Sequence, residues 1–127
     1  MKVGKAIERA DSRKPNAFSE EEKLEWLAAL EGRIAAEIFL MAPAEVRSLL
    51  ETEQDPEAEL LVDAPFDDIY VLWLAARIDE ANGEYNKYSN SLIFFNDHYG
   101  DFNNWFVSLY EPGQGHIKEE ILYGRKV

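Results

Sequence analysis

Eight residues toward the C-terminal end, Tyr85, Tyr88, Leu92, Phe95, Tyr99, Phe102, Phe106 and Leu109, follow one another at steps of three and four. That spacing places all eight on one stripe of a single long helix. Six of the eight are aromatic. A stripe this apolar has to be covered, either by other helices of the same chain or by a neighbouring molecule. If the helix runs from Glu84 to Tyr110, it is about 40 Å long at 1.5 Å per residue.

The chain has 127 residues, 46% of them hydrophobic, which suits one domain with a modest core. It has no cysteine, so disulfides and thiolate metal sites are excluded. No apolar stretch behind Met1-Lys2-Val3-Gly4-Lys5 suggests a signal peptide, and no run approaches the roughly 20 residues that span a bilayer. The net charge of −12 disfavours direct clamping of nucleic acid, which needs concentrated Lys and Arg. Charge is unevenly placed. The first 18 residues carry Lys2, Lys5, Arg9, Arg13 and Lys14. Residues 51–68 hold Glu51, Glu53, Asp55, Glu57, Glu59, Asp63, Asp67 and Asp68 with no basic residue. This segment reads either as a solvated acidic loop or as a surface that repels DNA or docks a basic partner.

A short helix is expected over residues 3–11, broken at Lys14-Pro15-Asn16. Ser19 to Glu22 forms a capping box for a second helix, which carries Leu24, Leu27, Leu30, Ile34 and Ile38 and runs to about Leu40. Gly32 inside it would permit close approach of another helix. Pro43 starts two more turns through Leu50. Residues 51–64 read as a loop open to movement, interrupted by Pro56. Pro65 with Asp67 and Asp68 opens a helix that is apolar nearly all round, through Ile69, Leu72, Leu74 and Ile78. Asn82-Gly83 stops it. The fold class is all-α: a small bundle of about four helices with a long C-terminal heptad helix and an extended tail. Residues 1–112 form the domain and 113–127 the tail.

No catalytic constellation emerges. His98 and His116 are the only histidines, and neither has metal-ligand spacing. Asp97, His98 and Asp101 share one turn and read as a salt-bridged or solvent-facing cluster. Phosphate-binding glycine loops and a nucleophile elbow are missing. The carboxylates fall on exposed turns, with no buried pair expected. Neither enzymatic activity nor a cofactor nor a metal is expected. Base stacking by the aromatic stripe would need interleaved cations, and Lys87 is the only one between Tyr85 and Tyr110.

Some aromatics fall off the stripe. Phe94 and Trp105 are eleven residues apart, which puts them on one face within about 20° and well away from the stripe centre. Tyr70 and Trp73 cannot both point the same way as Ile69 and Leu72. Either one bundle wraps these helices on several sides, or Tyr70, Trp73, Phe94 and Trp105 form a subunit interface.

Ala64-Pro65-Phe66-Asp67-Asp68-Ile69-Tyr70, the stretch from Ala81-Asn82-Gly83-Glu84-Tyr85 to Ser91, and Phe95-Asn96 resemble a family of small proteins encoded by phages and prophages of Gram-positive bacteria. Residues 6–11, 14–16 and 22–27 are similar too. The resemblance implies a virion structural protein of the head–tail connector type, also called adaptor or head-completion protein. Such proteins are small and helical and assemble as a ring beneath the portal. The ring extends the DNA channel and receives a tail-side protein. On this reading the partners are other copies, the portal and the tail-side protein, with no membrane and no specific nucleic-acid binding. The protein would be assembled in the bacterial cytoplasm and reside in the virion. Glu51, Glu53, Asp55, Glu57, Glu59 and Asp63 are the candidate channel lining or partner surface, and Ile117, Ile121, Leu122 and Tyr123 the candidate portal-docking tail. The alternatives are an acidic DNA mimic or other binding protein, or a capsid or packaging accessory protein.

Overall fold

The structure is a computed structural model, and it describes residues 1–109. The tail residues Ile117, Ile121, Leu122 and Tyr123 lie outside the described residues. Five helices follow one another: α1 (Val3–Arg13), α2 (Glu20–Arg33), α3 (Pro43–Thr52), α4 (Asp68–Ala81) and α5 (Tyr85–Val107). The bundle is all-α as expected, and α1 and α3 are the short helices read at residues 3–11 and 43–50.

Helix α4 is the centre. Its all-round apolarity is met by its own chain: Ile69, Tyr70, Leu72, Leu74, Ala75, Ala76 and Ile78 are all buried. Helices α1, α2 and α5 pack around it, and the α4–α5 pairing is the most extensive in the molecule. Three residues join α4 to α5. Asn82 caps α4, Gly83 adopts φ +74°, and the Glu84 amide donates to the Asp79 carbonyl at 3.0 Å. A side chain is strained at that φ, so glycine makes the tight reversal possible. The α5 stripe then lies along α4. Phe95, Phe102 and Leu109 are buried, whereas Tyr85 at the start of α5 is 69% exposed, so the covered part of the stripe begins a turn or so later.

Helix α2 starts as its residues dictate. The Glu22 amide donates to Ser19 Oγ at 3.1 Å, and the Ser19 amide donates to Glu22 Oε1 at 3.4 Å. Its far end is less regular: Ile34–Ile38 widens into a π turn in which the Phe39 amide reaches back five residues to Ile34 at 3.0 Å. The turn lets Phe39 meet Phe106 of α5 at 5.1 Å and ends on Leu40 at φ 56°, which is 78% exposed. Gly32 receives Leu50 of α3 at ordinary contact distance, so α3 is the neighbour there.

Residues 53–67 form a loop, and backbone hydrogen bonds tie its middle to the first residues of the chain. The Val3 amide donates to Ala58 O, Gly4 to Pro56 O, and Leu60 to Met1 O, each at 2.9 to 3.0 Å. Lys2 pairs with Glu57 at 2.8 Å, and Leu60 and Val62 are buried in the core. Gly4 suits this approach: a Cβ there would stand 3.1 Å from the Pro56 Cβ and 3.2 Å from its carbonyl oxygen, so the Pro56 segment would have to give by a few tenths of an ångström.

Gly100, by contrast, lies mid-helix with open space where a Cβ would go. Gly100→Ala is expected to stabilise the fold by about 0.5–1 kcal/mol. Urea denaturation at constant m-value checks this; a loss of stability would mean that α5 is bent there in a way its backbone requires.

Candidate interaction surface

Three helices build a groove on one side of the molecule. Helix α1 supplies Arg9, Arg13 and Lys14 as one wall. Val71, Leu72 and Ala75 of α4 form an apolar floor, and Lys87, Phe94 and His98 of α5 line the far wall. Two adjoining hollows of about 470 Å³ each meet at Arg13, Leu72 and Phe94.

The charge in this groove differs from that of the rest of the protein. Lys14 is held by the buried Asp79 carboxylate at 3.1 Å, and Asp79 also accepts from Ser91 Oγ at 2.7 Å, tying α1, α4 and α5 together. Lys87 is paired with Glu84 at 3.0 Å. His98 Nδ1 lies 2.7 Å from Asp68, across to α4 and not to its helix neighbours Asp97 and Asp101. Arg9 and Arg13 have no such partner. Among the described residues the other lysines and arginines are ion-paired, apart from Arg47 on α3. Two arginines at i, i+4 thus leave their guanidinium charge open to solvent in a chain of net charge −12.

Exposed apolar side chains lie beside the groove and beyond it, Leu40, Tyr85 and Val107 among the latter. Phe94 is 55% exposed and Ile93 57%, while Trp105 is 44% exposed with one face laid on Phe66 at 4.8 Å. Phe94 and Trp105 therefore leave apolar rings at the surface. Tyr70 and Trp73 do not belong with them. Tyr70 is completely buried, and Trp73 donates its Nε1–H to the Trp26 carbonyl at 2.7 Å, packs on Phe95 at 5.1 Å and lies under the Arg77 guanidinium. Contacts within the chain account for both, because α2 and α5 approach α4 from different sides.

The acidic segment also divides. Glu51, Asp55 and Asp63 are exposed. Glu57 and Glu59 are exposed but paired, with Lys2 and with the Met1 amino group at 3.3 Å. Glu53 is buried, and so is not part of any acidic surface. It lies against Glu31 of α2, itself fully buried. Glu31 accepts from Tyr70 OH at 2.6 Å and from the Leu61 amide at 2.8 Å, while the Val62 amide donates to Tyr70 OH at 3.0 Å. No conventional donor reaches Glu53 Oε2. Burial, then the neighbouring Glu31, pushes the Glu53 carboxyl up to about 9, so it keeps its proton at neutral pH. Burial and Glu31 also raise Tyr70 far above its usual value. This cluster fastens residues 53–62 to α2 and α4. It is enclosed except for a small hollow of about 10 Å³ beside Glu53, between Leu24, Leu27 and Leu50.

No group of three His, Cys, Asp or Glu among the described residues is placed to hold a metal ion, and no helix among them is long and apolar enough to cross a membrane. The site that remains is a surface: an arginine-rimmed groove lined by the exposed Phe94, with Trp105 about three turns further along α5. The chain matches no family model, no curated protein and no solved structure.

Proposed function

We propose that this chain is a non-catalytic connector subunit of a phage particle, forming a ring beneath the portal that extends the DNA channel. The observation that carries the reading is the exposed pair Phe94 and Trp105 on one side of α5, left uncovered after the stripe has packed on α4. Exposed aromatics of this kind are common anchors of subunit interfaces. The residues behind the resemblance have structural work consistent with it. Ala64 to Tyr70 is the turn into α4, and Ala81 to Ser91 is the reversal that sets α5 against α4. In a ring, the outward carboxylates Glu51, Asp55 and Asp63 would face the passing DNA and repel its phosphates. A DNA mimic needs a rigid row of free carboxylates, and the burial of Glu53 and the pairing of Glu57 and Glu59 interrupt such a row.

The test is assembly. Mass photometry of the protein alone and with purified portal is expected to give a ring-sized species. Phe94→Glu should abolish it while changing monomer stability by less than about 0.5 kcal/mol, since the ring is already half in water. Normal assembly of Phe94→Glu, or a copy number of one or two per particle, would remove the proposal.

A further inference from the structure

We infer that the Arg9–Arg13 rim of the groove receives the outer face of α2 from a second copy, through Glu21 and Glu25. The inference rests on the ring reading and names its lateral contact. Glu21 and Glu25 are exposed, are spaced i, i+4, and have no ion pair among the described residues. Arg9 and Arg13 have the same spacing, exposure and lack of partner. Both pairs therefore present like charges about 6 Å apart along a helix, so two helix faces can meet with both pairs in register. Exposed Ala29 continues the α2 face one turn beyond Glu25 and leaves room for the protruding Phe94 ring. When the groove of one copy takes the α2 face of the next, head to tail, the contact is heterologous, and a rotation that closes makes it a ring. Asp97 and Asp101 repeat the acidic spacing on α5, which also forms a wall of the groove. Pairing with them would instead be two-fold and would stop at a dimer.

Charge reversal tests this in both directions. Sedimentation velocity at low ionic strength is expected to show wild-type species larger than a dimer. R9E/R13E and E21K/E25K should each weaken self-association at least tenfold, with helicity unchanged by circular dichroism. An equimolar mixture of the two should recover assembly, because each groove then meets a face of opposite charge, and the quadruple variant R9E/R13E/E21K/E25K should assemble on its own. The neutral R9Q/R13Q variant gives the same reading if the reversed one folds poorly. Assembly of R9E/R13E or R9Q/R13Q at wild-type strength, or folded variants whose mixture does not recover, overturns the inference and leaves the ring reading standing. A closed dimer lost in D97K/D101K also overturns it. A wild-type chain that never self-associates, alone or on the portal, brings down both.

Discussion

Glu31→Ala is expected to destabilise the protein by about 3–5 kcal/mol, the cost of leaving several buried polar groups without a partner. The substitution removes the acceptor of Tyr70 OH and of the Leu61 amide together. It also leaves Glu53 buried with nothing to accept its proton. Glu53→Gln should act in the opposite sense. In the unfolded chain Glu53 loses its proton near 4.5, whereas in the fold it holds it to about 9. The unfolded state therefore binds fewer protons across that window, and stability drains as pH rises through it. Glutamine supplies the N–H donor permanently and has no proton to lose. The full slope for one such group is about 1.4 kcal/mol per pH unit. Partial access of solvent to the pair reduces the gain to about 1–2 kcal/mol at pH 8, falling to nothing below about pH 4.5. Urea denaturation of both variants at several pH values reads this. A Glu53→Gln protein less stable than wild type at pH 8 would mean that the carboxyl is ionised in the fold.

Phe102→Ala should cost a similar amount, about 3–5 kcal/mol, for a different reason. Phe102 is 2% exposed and sits at the hub of an aromatic cluster. Its ring centroid lies 5.9 Å from those of Phe66 and Phe106, 6.4 Å from Trp105 and 6.5 Å from Tyr99. These rings come from α5 and from the turn before α4, and they hold one another in place, so the hole cannot collapse easily. Chemical denaturation checks the value. A loss under about 1 kcal/mol would show that the cluster re-packs, and that Phe66 and Trp105 close over the gap.

The features legible in the sequence are those written at short range. A period of three and four residues fixes the α5 stripe, Ser19 and Glu22 fix the start of α2, and Asn82-Gly83 fixes the reversal. Each is a contract between residues a few positions apart. The carboxyl pair was not legible, because Glu31 and Glu53 are far apart in the chain and each sits in a run that looks solvent-facing. Nothing local distinguishes Glu53 from Glu51 or Asp55; only the arrival of residues 53–62 beside α2 does so. The anchoring of that segment has no local signal for the same reason, since its hydrogen-bond partners are among the first four residues. Tyr70 illustrates the limit from the other side. A helix covered from several directions buries an off-stripe ring as readily as an on-stripe one. Phe94 differs only because the space beside it is a groove. The basic rim was half visible, as a run of cations in the first 18 residues. Its sharper form, two arginines left free when their neighbours are paired, needs the positions of Asp79, Glu84 and Asp11.

The backbone bonds between residues 1–4 and 56–60 make these two stretches one cooperative unit. Residues 56–59 have no regular element of their own, so whatever lifts the start of α1 away releases them back to Leu60, where the core and the Glu31 cluster take hold. Order in the middle of the chain is thus borrowed from its beginning.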